Sequence, residues 1–329
     1  MTHVPSTVDT LRWGRLPSAR AEPVATVASG AVLTMDTLSH EGALPDQGRD
    51  PLAFFARHGV EPLPDLLDVV PRLHRAPDDG PHFVTGPVRV EGAEPGDLLQ
   101  VDVLALDRRA DYGVITDRHA KDVFGADRPA GFTDPVVSTF CRVAAGRAHL
   151  DGDPRLSVPV APFLGIMGVA AGGDEPHSGP PGPFGGNLDL KHLVAGTTLF
   201  LPVLAPGALF YAGDPHFAQG NGELASTALE APLRATLRLT VHTGRFDLDA
   251  PVARTPASWI VCGLDRDLGR AVRAASAAAV RLLGNDGIAP DLALAWLSVA
   301  GDVEVTQVVD GVLGAHVVLP RSVDLLGVP

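Results

Sequence analysis

The stretch Leu98-Leu-Gln-Val-Asp-Val-Leu-Ala-Leu106 decides the fold class. Apolar and polar residues alternate along it, so that Leu99, Val101 and Val103 share one face of an extended chain. A period of two residues is typical of an antiparallel strand with one buried face. Residues 235–243 alternate in the same way. These two segments predict a mainly β protein.

Further short segments, rich in β-branched or apolar residues and bounded by Gly, Pro or Asp, are predicted as strands. They are residues 31–34, 84–90 and 198–204. The connections at residues 42–81 and 172–186 are long, and loops of that length tend to be functional or to carry small elements of their own.

The pattern changes near residue 264. Apolar residues recur at threes and fours over residues 265–283, which predicts a helix with a stop at Gly284 and Asn285. A second helix is predicted at residues 291–300, and strands at 303–309 and 315–319. We therefore predict a β-sandwich or barrel-like body over residues 1–263, which carries the active site. A small α+β unit, residues 264–329, is expected to pack on it.

Composition and charge exclude several classes of protein. Gly and Pro supply 36 and 30 of the 329 residues, which argues against helical bundles and coiled coils. The net charge of −13 disfavours a nucleic-acid partner, because binding to phosphates needs clustered positive charge. Lysine occurs only at Lys121 and Lys191, so few positions could act as an amine nucleophile.

Several features indicate a cytoplasmic protein with no membrane partner. The amino-terminal residues include no apolar segment typical of a signal peptide. Residues 193–213 lack charge, but their Pro and Gly content favours two buried strands and a turn over a membrane span. Cys141 and Cys262 are too few for a disulfide framework or a thiolate zinc site. Exposed apolar strands in an acidic chain suggest a homo-oligomer.

The densest group of polar residues with catalytic potential lies in residues 185–230. Asp214 and His216 are two apart, so an extended backbone would direct both side chains to one face. Asp189 or Glu223 could complete a mixed set of nitrogen and oxygen ligands with a position open for water. The alternative is that the glycines and Pro215 only supply turns and that His216 is a surface residue.

A second group begins at Ser39, His40 and Glu41. These are the residue types of a hydrolytic triad, but neighbours on a strand point to opposite faces and cannot form the relay themselves. For residues 46–50 we expect a turn in which Arg49 pairs with a carboxylate. Cys141, beside an arginine, could be a nucleophile or simply buried.

Two blocks of this chain together resemble the acetamidase/formamidase family. They are Gly185-Gly-Asn-Leu-Asp189 and Gly213-Asp-Pro-His-Phe-Ala-Gln-Gly-Asn-Gly-Glu223, the second followed by Glu230. Residues 85–99, 162–165 and 202–209 match as well, so the resemblance covers about residues 30–243. It implies a mostly β amidase that hydrolyses small carboxamides, such as formamide or acetamide, to a carboxylate and ammonia with the help of a metal.

The resemblance also implies roles for individual residues. It matches Asp189, Asp214, His216 and Glu223 to polar positions of the family, with Gln219 and Glu230 at neighbouring ones. We hypothesise that Asp189, Asp214 and His216 bind the metal and that Glu223 is catalytic. His40 is the second choice as a ligand or oxyanion donor, and Asn187, Gln219 and Glu230 are the expected substrate contacts. Zinc is the first choice of metal, with calcium possible, and Glu223 would carry a proton from water to the amide nitrogen. The chain departs from the family pattern at Asn221, where an Asp is expected, and over residues 36–42. These departures concern substrate identity.

Covalent amidase mechanisms have no support in the sequence. Neither lysine lies in a Gly-Ser-Ser setting or near a cysteine in a recognisable way. The alternative to an enzyme is a non-catalytic β-sandwich protein whose acidic loops bind calcium or a small ligand.

Overall fold

The computed structural model describes residues 1–132, 134–244, 246 and 248–328. Strands predominate within these residues, which confirms the predicted mainly β class. The strands are β1 (Thr2–Val4), β2 (Leu11–Trp13), β3 (Ala25–Val27), β4 (Ala31–Asp36), β5 (Phe83–Val90), β6 (Leu98–Arg108), β7 (Tyr112–Arg118), β8 (Val136–Ala144), β9 (Arg147–Leu150), β10 (Ser157–Pro159), β11 (Phe163–Gly168), β12 (Gly185–Asn187), β13 (Thr198–Pro202), β14 (Phe210–His216), β15 (Leu233–His242), β16 (Val252–Arg254), β17 (Ser258–Asp265), β18 (Asp302–Gln307) and β19 (Leu313–Pro320).

The helices are few and short. They are a 3₁₀ turn (Pro45–Gln47), α1 (Pro51–Ala56), α2 (Pro64–Arg72), α3 (Leu268–Asn285) and α4 (Pro290–Ala300). The 3₁₀ turn, α1 and α2 all lie in the connection over residues 42–81, where small elements were expected. Among the described helices, none is both long and apolar enough to cross a membrane.

Two sheets pack face to face around the main core. One has nine strands in the order β1-β4-β15-β6-β13-β16-β17-β19-β18, and the other has six, counting β3, along β12-β11-β14-β5-β2. The inward faces of both contribute to one apolar cluster, in which Leu99 and Leu237 of the first sheet join Leu164 and Phe210 of the second. The alternation that predicted β6 therefore marks the face turned toward the other sheet.

The remaining elements cover the outer surfaces. Helices α3 and α4 pack on the outer side of the nine-stranded sheet against Trp259 and Leu319. Helices α1 and α2 pack over Trp13 and Phe140. A four-stranded sheet in the order β10-β9-β8-β7 is a part of the fold that the sequence did not indicate.

The predicted strand and helix positions are largely confirmed. Residues 193–213 contain the buried strand β13 and most of β14, as predicted instead of a membrane span. Asp267 caps α3 by accepting a hydrogen bond of 2.8 Å from the backbone N–H of Arg270. The predicted stop at Gly284 and Asn285 agrees with the end of α3 at Asn285, although Gly284 is still helical and the left-handed turn comes at Gly287 (φ 83°).

The carboxyl-terminal segment continues the sheet of the body. Strand β19 pairs with β17 from Asp265 to Ser258, and β18 pairs with β19. The proposed division at residue 264 stays a prediction, and the ladder between β17 and β19 runs across it.

Replacing Gly263 by Ala should destabilise the fold. A Cβ at Gly263 would collide with the carbonyl oxygen of Ala271 and the backbone nitrogen of Ala275, where α3 lies closest to β17. Overpacking of this kind lowers the free energy of unfolding by about 1–3 kcal/mol. Urea denaturation followed by circular dichroism measures the change.

Gly284→Ala is the matched control. A Cβ at this helical position has no neighbour within 4 Å, so we expect stabilisation of about 0.5–1 kcal/mol from the alanine itself. A Gly263→Ala variant as stable as the wild type would contradict the close packing of α3 on β17.

Candidate active site

The sequence-predicted carboxylates and histidine converge on one buried cluster. Asp189 follows β12, Asp214 and His216 lie on β14, and Glu223 and Glu230 lie in the segment that follows β14. All five side chains are buried. The two blocks singled out in the sequence thus meet in space.

A glycine makes this convergence possible. A Cβ at Gly165, on β11, would collide with Asp214 Oδ2 and Asp189 Oδ1 and would lie 2.7 Å from His216 Cε1. Any other residue at this position would displace at least one of the three side chains. Gly165 therefore supplies the space in which they meet.

His216 stands between the two aspartates. Its Nδ1 lies 3.9 Å from Asp189 Oδ1, whereas its Nε2 lies 3.2 Å from Asp214 Oδ2 and 2.9 Å from Glu230 Oε1. The predicted metal ligands share one cluster, and their carboxylates approach different nitrogens of the imidazole.

His82 is a site residue that the sequence reasoning missed. His40 Nδ1 and His82 Nε2 lie 4.0 and 3.7 Å from Asp214 Oδ1. Their outer nitrogens contact other groups: His40 Nε2 lies 3.4 Å from Glu41 Oε1, and His82 Nδ1 lies 3.0 Å from Ser178 Oγ. His82 immediately precedes β5, so its position beside a stretch that resembles the family was the available signal.

Glu41 is held by polar partners on several sides. Thr116 and Gln47 donate hydrogen bonds to its Oε2, and Arg118 lies 3.4 Å from its Oε1. The contact between adjacent His40 and Glu41 contradicts the argument that their side chains must point apart, because β4 ends at Asp36 and the two residues are not in a strand.

The structure also tests the predictions for Ser39 and Arg49. Ser39 Oγ accepts a hydrogen bond from the backbone N–H of Glu41, which gives no support to a serine relay. The predicted ion pair of Arg49 is wrong for the described part of the chain: its guanidinium lies over the Trp13 ring, and Arg118 pairs with Asp46 instead. At φ 51°, Arg49 adopts the left-handed conformation that places it there.

Cys141 fits the buried interpretation. Burial raises the pKa of its thiol to about 12, so the reactive thiolate is scarce at neutral pH. The same holds for Cys262, whose pKa burial also raises to about 12.

Many buried polar atoms in the cluster have no hydrogen-bond partner in the described structure. They are Asn187 Oδ1, both carboxylate oxygens of Asp189, Asp214 Oδ1, His216 Nδ1, Gln219 Oε1, Glu230 Oε2 and Asp310 Oδ2. Buried polar groups are normally paired, and unpaired buried charge is costly. Since carboxylate oxygens and imidazole nitrogens are ligands for divalent metals, this donor set fits a bound cation.

Burial holds protons on several of the carboxyl groups. It raises the pKa of Glu230 to about 8 and that of Asp310 to about 7. Burial and the charge of Glu223 hold the pKa of Asp189 well above its usual range, and burial and Asp310 do the same for Glu223. Part of the cluster is therefore protonated near neutral pH.

Asp214 and the histidines respond differently. Burial alone would raise the pKa of Asp214, but His216 and His82 outweigh it and lower that pKa below its usual range. Burial lowers the pKa of His40 and of His82, so both imidazoles are neutral at pH 7. Burial also acts to lower the pKa of His216, but Glu230 and Asp214 outweigh it and raise that pKa.

Three of the acidic residues have strained backbones. Asp189, Asp214 and Glu223 have φ values of 50°, 52° and 49°, in the left-handed region that residues other than glycine rarely adopt. Such conformations persist only where the surrounding structure enforces them, and they cluster at functional sites. The strain is independent evidence that these side chains are placed for a purpose.

The cluster lies at the floor of a cleft of about 910 Å³. The members of the cluster that line it are His40, His82, Asp214, Glu223, Glu230 and Asp310, with Asn187 beside them, and the lining also includes Asp46, Asp78, Asp79, Asp122 and His177. Asp189 and His216 are not among the lining residues. Gln219 Nε2 donates a hydrogen bond of 2.8 Å to the carbonyl oxygen of Asp189.

Asp310 is the second residue that the sequence reasoning missed. It enters the site because Gly222 pairs with β18 through two backbone hydrogen bonds, from Gly222 to Thr306 (3.0 Å) and from Val308 to Gly222 (3.1 Å). No pattern near Asp310 signals this, since the contact joins segments almost ninety residues apart.

Comparison with known proteins gives a consistent result. The profile of the Acetamidase/Formamidase family matches residues 77–178 and 169–324. An acetamidase from Mycolicibacterium smegmatis is 30% identical over 198 residues, 44% of this chain and 49% of that protein. A formamidase from Methylophilus methylotrophus is 28% identical over 195 residues, 44% of this chain and 47% of that protein. The matched region spans about half the length of these curated relatives.

Solved structures match over almost the whole chain. The crystal structure of an acetamidase from Bacillus halodurans is 25% identical, with a TM-score of 0.78, and covers 99% of this chain and 100% of its own. A recombinant predicted acetamidase/formamidase from Thermoanaerobacter tengcongensis has a TM-score of 0.80 at 24% identity, over 97% and 95% of the two chains. The latter supports the fold alone.

Glu230→Gln should remove part of the pH dependence of stability in protein stripped of divalent ions. Because burial raises the pKa of Glu230 from 4.5 to about 8, the folded protein keeps a proton that the unfolded chain releases. The contribution of this raised pKa to the free energy of unfolding is therefore fully present below about pH 5 and is lost as the pH rises to about 8. Urea denaturation across that range should show a steeper fall in the free energy of unfolding for the wild type than for the variant.

The exposed residue Glu61 provides the control for this measurement. Glu61→Gln should follow the wild type across the pH range. Equal slopes for the wild type and Glu230→Gln would contradict a raised pKa at Glu230.

Proposed function

Since this chain belongs to the acetamidase/formamidase family, we propose that it is an amide hydrolase that converts small carboxamides into a carboxylate and ammonia. The names of its relatives support formamide and acetamide as the substrate class. The observation that carries the proposal is the buried set of His40, His82 and Asp214 at the floor of the cleft.

We propose that these three residues hold a divalent metal, with zinc as the first choice. Two imidazoles and one carboxylate form a donor set found in catalytic zinc sites, which keep another position open for water. Both imidazoles are neutral, as metal ligands must be, and their outer nitrogens are oriented by Glu41 and Ser178. A zinc ion bound there would lower the pKa of a water molecule to about 7 and polarise the amide carbonyl.

The ligand set predicted from the sequence is Asp189, Asp214 and His216. It shares only Asp214 with the set of His40, His82 and Asp214 proposed here, and it stays a prediction. Asp189 and His216 are not among the residues that line the cleft, which favours a supporting role for them. His216 would fix Asp214 through its Nε2, at 3.2 Å, and Asp189 would pack beside it over Gly165.

Glu223 is proposed to carry the proton that the leaving nitrogen needs. It lines the cleft, and burial together with Asp310 raises its pKa, which favours the protonated form. A carboxyl in that state can donate to the departing amine and recover a proton from the attacking water. Amide hydrolysis requires this transfer because ammonia is a far better leaving group than its anion.

Asn187 is the proposed substrate contact. Its Oδ1 is buried without a partner in the described structure and lines the cleft, so it can accept an N–H of a carboxamide. Glu230 also lines the cleft, but its contact with His216 makes it a positioning residue for the imidazole.

We further propose, from the sequence, a cytoplasmic location and a homo-oligomer.

His82→Ala should lower both metal content and turnover. We expect kcat/KM for acetamide to fall at least about a hundredfold, because removing a metal ligand removes the activated water. Ammonia release measures activity, and elemental analysis measures bound metal. A strong chelator should have the same effect on the wild type.

His149→Ala, on β9 and half-buried, is the matched control and should behave as the wild type. If His82→Ala and His40→Ala keep the metal while Asp189→Asn and His216→Ala lose it, the ligand set proposed here is wrong. A wild type that binds calcium and turns over no amide would favour the non-catalytic alternative.

Glu223→Gln tests the proton-transfer role separately. The amide cannot donate or accept the proton as a carboxyl does, so we expect kcat to fall about 10²–10⁴-fold with metal content unchanged. Normal ammonia release from a metal-loaded Glu223→Gln protein would reject the assigned role.

A further inference from the structure

A second group of metal-binding side chains lies outside the cleft. Glu304 and His316 stand directly opposite each other on the antiparallel strands β18 and β19. His192, in the turn after Asp189, reaches the same point. None of the three lines the cleft that holds the candidate active site.

The geometry of this group matches a small metal ion. His192 Nε2 lies 3.2 Å and His316 Nε2 lies 3.4 Å from the same atom, Glu304 Oε2, and the three atoms all lie within 4.8 Å of one another. Ligands at zinc distances in a tetrahedron are separated by about 3.3–3.4 Å. The two separations from Glu304 Oε2 match this value, although the 3.2 Å contact with His192 is also that of a hydrogen bond.

The burial and hydrogen bonding of His316 are a second observation that supports a metal site. Its side chain is completely buried, and its Nε2 has no hydrogen-bond partner in the described structure. Its Nδ1 contacts Thr306 Oγ1 at 2.7 Å, which fixes the ring. If this Nδ1 carries the ring proton and donates to Thr306, the Nε2 lone pair faces Glu304 and can bind an ion.

Neighbouring residues complete the surroundings. Asn221 Nδ2 donates a hydrogen bond of 2.7 Å to Glu304 Oε2 and so orients the carboxylate. Lys191 immediately precedes His192, and its charge opposes a cation. The negative charge of Glu304 must therefore offset it. His192 and Glu304 are 27% and 30% exposed, which leaves one side open to a water ligand.

We propose that His192, Glu304 and His316 form a second, structural binding site for a divalent transition metal of the zinc type. An ion there would join the turn after Asp189 to strands β18 and β19. Through its hydrogen bond to Glu304, Asn221 would attach the segment before Glu223 to the same metal site. The segments that carry Asp189, Glu223 and Asp310 would thus be fixed from outside the cleft.

Elemental analysis of zinc-loaded, desalted protein tests the proposal. The wild type should hold one zinc equivalent more than His192→Ala or Glu304→Gln, and added zinc should raise the Tm of the stripped wild type more than that of either variant. His192 and Glu304 are partly exposed, so both variants should fold, which circular dichroism checks. His149→Ala is the matched histidine control and should keep the full zinc content.

Zinc content distinguishes this second site from the metal proposed for the cleft. Loss of one equivalent in His192→Ala, with the other lost only in His82→Ala, supports two independent sites. A wild type with one equivalent that His192→Ala loses and His82→Ala keeps would uphold this site and reject the metal proposed for the cleft. Unchanged zinc content and an unchanged zinc-dependent Tm in both His192→Ala and Glu304→Gln would overturn the proposal.

Discussion

Four buried carboxyl groups, those of Asp189, Asp214, Glu223 and Glu230, lie with the half-buried Asp310 beside three buried imidazoles, and this concentration of charge constrains the rest of the structure. Burial weakens the solvation of these groups, so each keeps a proton, faces a positive charge or binds a cation. Asp214 has histidines around it and stays ionised, whereas burial holds protons on the others. The left-handed backbones and the glycine at position 165 are local consequences of bringing so many short acidic side chains to one point.

The packing of the two sheets makes this arrangement rigid. β14 and β11 are central in the six-stranded sheet, and both are buried throughout, so Asp214 and His216 are held by a fixed ladder. The nine-stranded sheet reaches the same site from the other end of the chain, because β18 brings Asp310 and pairs with Gly222. The His192–Glu304–His316 group lies at this junction between the carboxyl-terminal strands and the body.

The chemistry proposed for the cleft uses the same burial that makes the cluster costly. Burial raises the pKa of Glu223, which favours the proton that the proposal assigns to it, and lowers the pKa of His40 and His82, which favours the neutral imidazoles that a metal would need. An exposed carboxylate and an exposed histidine would have neither property. Family membership supports the proposed amide hydrolysis, and the histidines and carboxylates of the cleft support the proposed metal.

The sequence by itself determined the features that depend on near neighbours. The alternation in β6 and β15 and the three-to-four periodicity of α3 gave these elements to within a few residues, and the two blocks ending at Asp189 and Glu223 located most of the acidic cluster. Only the tertiary structure decided which groups meet. His82 and Asp310 join the site through sheet packing between distant segments, and the contact of His40 with Glu41 arises because β4 ends at Asp36. Short-range patterns record which face of an element is buried, whereas distances across the molecule, and the pKa values that follow from them, depend on how sheets stack.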